Sequence, residues 1–177
     1  MNWGLKLNLG CAKNIRSHDE GWVNCDINEG PGVDVGFDAN NHFPFPDGYF
    51  SEIYASHIFE HLTNFPNAVK ECARVLKKGG LMEVKVPYGV GYHAYDPYHV
   101  RYFFTNAFDY FCRSYEANTT LETDWQDALF KLESCEVIRI VPYRGLLSKV
   151  LGKRIERRYT WPPLGIKVEI RWILKRL

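Results

Sequence analysis

The chain has 177 residues, 46% of them hydrophobic and 24% charged, with a net charge of +1. That composition fits one domain spanning 1–177 that can bury a core without a metal or disulfide staple, and it excludes wholesale disorder. No run approaches the ~20 apolar residues of a bilayer-spanning helix.

The start, MNWGLKLNLG, lacks the basic end and apolar stretch of a secretory signal. LKLNL (5–9) is a short apolar strand closed by Gly10. GWVNCD (21–26) and VDVGFD (33–38) combine β-branched and aromatic residues, and each ends at an acid. SEIYAS (51–56) follows the turn signal Pro46-Asp47-Gly48, and LMEVKVP (81–87) alternates after Gly79-Gly80. Between these two strands, Ala68, Val69, Cys72, Val75 and Leu76 recur at helical spacing. Lys77-Lys78 are read as that helix's last turn, with Gly79 as its left-handed stop. A second helical stretch is predicted over 105–115, capped by Thr105 or Asn106.

CEVIRIVPY (135–143) reads as a strand, and so does IKVEIRWILKRL (166–177), from the alternation of Ile166, Val168, Ile170, Trp172 and Leu174. GKRIERRYTWPPLG between them is a long basic loop. From Arg144 onward there are ten Lys or Arg against two acids. Such a segment is either a solvated face or a surface for an anionic partner, a phosphate-bearing carrier or an acidic membrane. Sequence-specific nucleic-acid binding is not expected, because no recognition module is present. Five cysteines, none in CxxC spacing, are expected as reduced thiols. They point to a cytoplasmic protein, which the basic segment could place at the membrane periphery.

Strands alternating with crossovers imply a mostly parallel sheet, whose ligands bind beyond the carboxyl ends of the strands. Gly10, Asp26, Asp38 and Ser56-His57 end the first four strands. A glycine there lets backbone approach a ligand. Asp26 can accept both hydroxyls of a ribose, and Asp38 can reach an adenine amino group.

LNLGCAKN, GWVNCDI, FDANNHFPFPDGYFSEIYASHIFEHL and AVKECARVLKKGGLMEVKVPY, in order across residues 5–88, resemble the class I S-adenosylmethionine-dependent methyltransferases. The resemblance points to the small type-11-like bacterial and archaeal group associated with surface polysaccharide biosynthesis. DPYHVRYF (96–103) is similar to a segment such proteins carry after the fifth strand. The resemblance implies an α/β, Rossmann-like fold: a seven-stranded, mostly parallel sheet with helices on both faces. Strands 137–143 and 166–175 would close it as an antiparallel hairpin. It implies S-adenosyl-L-methionine as cofactor. Gly10, with Cys11 beside it, would lie against the methionine part, and Asp26, with Ile27 beside it, would hold the ribose. Asp38 and Ala39 would flank the adenine, and Ser56 and His57 would border the methyl group.

The expected reaction is methyl transfer to an unidentified small-molecule or glycan acceptor, at oxygen rather than nitrogen. It works largely by orientation. His57 is the first choice of general base and His99 the second. The tyrosines at 88, 92, 95, 98 and 102 suggest either an aromatic cover on the sheet or a substrate wall. Ala12 and Asn14 stand where the family has glycines, and Asn8 where an acid is common. These departures motivate an alternative, a non-catalytic scaffold on the same fold. Only Gly10 remains of a G-x-G-x-x-G set, which disfavours a nicotinamide oxidoreductase. Ser56-His57 in place of Asn-Pro-Pro-Tyr disfavours amino-group methylation. HIFEH (57–61) matches the zinc-protease pattern H-x-x-E-H, but it lies in the wrong strand-end context, so no metal is expected.

Overall fold

Alternation along the strands decides how the chain packs. The computed structural model describes residues 4–89, 92–112, 128–140 and 167–177. Its strands are β1 (Lys6–Leu9), β2 (Trp22–Asp26), β3 (Val35–Gly36), β4 (Phe50–Ser56), β5 (Leu76–Pro87), β6 (Phe130–Ile140) and β7 (Lys167–Arg176). They form one seven-stranded sheet in the order β3-β2-β1-β4-β5-β7-β6. The first five strands pair in parallel. β7 runs antiparallel between β5 and β6, which is the expected C-terminal hairpin.

One face of this sheet is apolar. Leu7, Leu9, Cys25, Ile53, Ala55, Met82, Val84, Ile170 and Trp172 are all buried on it. Helix α1 (Phe65–Val75) covers part of that face with Ala68, Val69, Cys72 and Val75, the periodic positions read from the sequence. The rest is covered by Phe103, Phe108 and Phe111, which meet Phe65 and Trp172 edge-on or tilted. Burying such rings contributes about 1.5–3 kcal/mol each.

The opposite face is polar. Lys6 pairs with Glu52 at 3.2 Å, and Arg171 with Glu83 at 2.7 Å, a carboxylate that Lys85 also approaches at 3.1 Å. Among the described residues there is one α-helix, and it lies on the apolar face. A solvated, ion-paired sheet face needs no helix to cover it.

The first crossover shows what replaces one. Its guanidinium Arg16 lies 4.3 Å from the Trp22 ring centroid and 3.7 Å from that of Tyr54. Asn24, fully buried and opposite Asn8 in the β1–β2 register, holds the loop in place. Its Oδ1 accepts from Asn8 Nδ2 at 2.8 Å and from the Arg16 N–H at 2.9 Å, and its Nδ2 donates to the Arg16 carbonyl at 2.9 Å.

Three further elements differ from the sequence reading. The predicted third strand, 33–38, shrinks to two residues, Val35–Gly36. Lys77-Lys78 lie in β5 rather than in a last helical turn, because the helix ends at Val75 and β5 pairs with β4 from Leu76 onward. The predicted helix over 105–115 is a series of turns ending in a short 3-10 segment, Asp109–Phe111, as the phenylalanines here follow the sheet rather than a helical stripe. Residues 113–115, 141–143 and the basic loop lie outside the described residues. No described helix is long and apolar enough to cross a membrane. The five thiols are free, as expected.

Removing the Asn24 side chain leaves the Arg16 N–H and carbonyl without their buried partners. Asn24→Ala is expected to lower stability by about 2–3 kcal/mol in urea unfolding, with the m-value unchanged.

Candidate functional site

The carboxyl ends of β1, β2, β4 and β5 and the start of antiparallel β7 meet at one edge of the sheet. After β1, Gly10 takes φ +67. A Cβ there would come within 2.6 Å of the Ile58 side chain, so both the backbone and the space require glycine. The Cys11 N–H is donated to the Cys25 carbonyl at 2.9 Å rather than left pointing outward. Burial, then the charge of Asp26, pushes the Cys11 thiol up, which makes it an unreactive packing group.

Ala12 adopts φ +43, the left-handed conformation a glycine would take without strain. Its N–H donates to Asp26 Oδ2 at 2.9 Å. The loop thus keeps its shape despite the substituted glycine, and the strand-end acid is what holds it. Asp26 Oδ1 accepts from the Asn28 N–H at 3.0 Å. Ile27 beside it is 63% exposed. Asp38 lies two residues past β3 and is tied up in a turn: Oδ1 accepts from the Asn40 N–H at 2.9 Å and Oδ2 from Asn41 Nδ2 at 3.2 Å. Ala39 is buried in the core. Ser56 ends β4 and its hydroxyl serves Tyr54 on the polar face. Burial alone would raise the Tyr54 phenol, but hydrogen bonds with Ser56, Lys85 and Arg16 and the charge of Lys85 outweigh it and hold the phenol below its ordinary value.

His57 follows β4 at φ +56, a strained conformation for a residue with a Cβ, worth about 1–2 kcal/mol. Its surroundings hold it there. The N–H donates to the Lys85 carbonyl at 2.9 Å. Nδ1 lies 3.1 Å from Glu60 Oε1, and Nε2 lies 2.7 Å from Glu169 Oε1. An ionised carboxylate only accepts, so each contact needs an N–H from the ring. As placed, His57 has no lone pair for a substrate proton, and the geometry suits a positioning residue better than a base.

Sequence reasoning missed the two carboxylates. Glu60 and Glu169 are both buried, Glu60 at 1% exposure. Glu169 arrives only because β7 runs antiparallel and begins at this edge, 112 residues away in sequence. HIFEH does not form the paired-ligand helix of a zinc protease. Phe59–His61 is a single 3-10 turn, and His57 precedes it in a left-handed conformation.

The segment after β5 is stitched onto this turn. The Val100 N–H donates to the Glu60 carbonyl at 2.9 Å, and Arg101 donates to the carbonyls of Leu62 and Thr63 at 3.0 Å. His99, the second sequence candidate, is thereby brought beside His61, ring centroids 4.7 Å apart. Asp96 accepts the Tyr98 N–H at 2.9 Å and shapes the loop. The aromatic residues divide by role: Phe103 is buried cover, whereas Tyr95, Tyr98 and Tyr102 are 66%, 80% and 53% exposed.

A family model for a methyltransferase domain matches residues 19–84. A ubiquinone/menaquinone biosynthesis C-methyltransferase of Neisseria meningitidis serogroup C (strain 053442) is 31% identical over 90 residues, covering 44% of this chain and 37% of that protein. Over this stretch the chain is similar to a methyltransferase domain. It spans little more than a third of that curated relative, as the 37% coverage shows. The fold is also similar to a SAM-dependent methyltransferase from Archaeoglobus fulgidus (TM-score 0.63, 14% identity, 99% of this chain and 87% of that one). A SAM-dependent methyltransferase from Thermotoga maritima, described as a possible histamine N-methyltransferase, gives TM-score 0.59 at 18% identity, covering 100% and 84%.

Strain at Ala12 yields a direct test of the loop. Ala12→Gly relieves the left-handed backbone and offsets part of that gain through a looser unfolded chain. It is expected to raise stability by about 0.5–1 kcal/mol in thermal or urea unfolding.

Proposed function

We propose that this protein transfers a methyl group from S-adenosylmethionine to a hydroxylated small molecule or glycan, at oxygen. The observation that carries this reading is the Asp26 carboxylate at the end of β2. It grips the loop after β1 by accepting the Ala12 N–H at Oδ2, while Oδ1 accepts from Asn28 and the neighbouring Ile27 is exposed. That donor set fits a nucleoside: two hydroxyls for the acid and an aromatic base for the apolar side chain. Asp26 would hold the ribose and Ile27 the adenine. The cramped Gly10 turn would lie by the methionine part, and Ala39 and the Asp38 turn would close the adenine side.

When bound, the cofactor supplies an electrophilic methyl on a sulfonium. The chain's own part is to hold an acceptor oxygen in line with it. His57 sets the position of Glu60 from the end of β4. The exposed tyrosines 95, 98 and 102 offer flat faces suited to sugar rings. The acceptor's proton would leave on the side of Glu60, His61 and His99. The scaffold alternative shares the fold and differs in cofactor binding.

Asp26→Ala is expected to weaken S-adenosylhomocysteine binding at least tenfold in calorimetry, since it loses charge-assisted hydrogen bonds worth about 1.5–3 kcal/mol each. Unchanged affinity removes Asp26 from the site, and a wild-type protein that binds no cofactor at all favours the scaffold.

The basic residues Lys153, Arg154, Arg157 and Arg158 motivate a second part of the proposal, a peripheral contact with an anionic carrier or acidic membrane. Each such residue is worth about 1 kcal/mol near an anionic surface. Co-sedimentation with phosphatidylserine vesicles is expected at low salt and lost at high salt. Equal binding to neutral vesicles would leave the segment as a solvated face.

A further inference from the structure

We propose that Glu60, His61 and His99 form a binding site for one divalent first-row cation of the zinc, cobalt or manganese class. One donor atom from each of the three lies within 4.8 Å of the others. The two histidines are already oriented as ligands. His61 Nδ1 is 3.2 Å from the Tyr98 carbonyl and His99 Nδ1 is 3.2 Å from the Ala94 carbonyl. A carbonyl only accepts, so both rings carry their proton on Nδ1 and keep the lone pair on Nε2. This is the outer-shell pattern that fixes a metal-binding imidazole.

The third donor gives the independent indication. Glu60 Oε1 faces His57, but Oε2 is buried and has no hydrogen-bond partner among the described residues. A carboxylate oxygen withdrawn from water without a partner is costly, and a cation removes that cost. His57 on Oε1 then orients the ligand carboxylate, as outer-shell donors do.

Bonds of about 2.0–2.2 Å require donors roughly 3–3.5 Å apart. From the 4.8 Å limit the group must therefore tighten by up to about 1.3–1.8 Å, through rotation of exposed His61 and half-buried His99. Two imidazoles and one carboxylate are a set for a borderline ion with open positions, rather than for calcium or magnesium. The site departs from the sequence expectation of no metal and from the H-x-x-E-H pattern, because His57 is spent on carboxylates and His99 takes the third place. Its role rests on the methyl-transfer reading. The open positions would take an oxygen of a hydroxylated acceptor and acidify its O–H, with the proton lost to solvent.

Cobalt(II) titration, read by equilibrium dialysis and visible absorption, tests the site in the full chain. One cobalt per chain with a nitrogen- and oxygen-type spectrum is expected. Binding should weaken at least tenfold in His61→Ala and in His99→Ala, and persist in His93→Ala, an exposed histidine on the same segment. His61 is exposed, so its variant is expected to keep the wild-type circular dichroism. No stoichiometric cobalt, binding indifferent to His61→Ala, or a thiolate charge-transfer band placing the ion on cysteine would each overturn the proposal. Cobalt bound as expected by a protein that binds no S-adenosylhomocysteine would sustain the metal site and sink the methyl-transfer reading instead.

Discussion

The strands from β1 to β7 send most of their apolar side chains to one face, with Trp22 and Tyr54 as exceptions on the other, and much of the architecture follows from that constraint. Leu7, Ile53, Met82 and Leu174 line up in register across β1, β4, β5 and β7, with Leu9, Ala55, Val84 and Trp172 in the next row. The alternating residues, Lys6, Glu52, Glu83, Lys85 and Arg171, are carried to the other face and pair with one another. A sheet of this kind has one surface to bury, so a single helix and a set of phenylalanines suffice among the described residues. Ion pairs on a solvated face contribute little each, about 0–1 kcal/mol. Their use here is to make that face compatible with water.

The same constraint explains the first crossover. On a sheet buried on both sides the path from β1 to β2 would carry a helix. Here Arg16 lies flat on Trp22 and Tyr54, and the Asn8–Asn24 pair fixes the loop from within the sheet. The residue where the family favours an acid is therefore an amide. It donates to Asn24 and to the Asn14 carbonyl at 2.8 Å, which a carboxylate could not do. Asn8 on the first strand is in this way suited to a short loop.

At the strand ends, charge is concentrated by topology. β4 delivers His57, the turn after it delivers Glu60 and His61, and the segment after β5 returns to deliver His99. Antiparallel β7 starts at the same edge and contributes Glu169. Three separated stretches of chain converge here, and the strained backbone of His57 is held by Glu60, Glu169 and the Lys85 carbonyl of β5. Strain of this kind persists only where the surroundings over-determine it.

Strand alternation, the periodic face of α1, the punctuating Gly10 and the acid at the end of β2 were legible in the sequence, because each depends on residues within a few positions of one another; Gly79, read as the helix stop, lies within β5 instead. The alternation of LMEVKVP and IKVEIRWILKRL was legible too, and the sheet it builds was read as covered on both faces. Only the tertiary structure decided that Asp38 is spent on its own turn and that Ala12 takes a glycine's conformation. It alone decided that His57 lies between Glu60 and Glu169, and that His61 meets His99. Those outcomes depend on pairings across 112 residues for His57 with Glu169 and 37 for His61 with Tyr98. Strand order and direction create such contacts, and no local pattern of side chains encodes them.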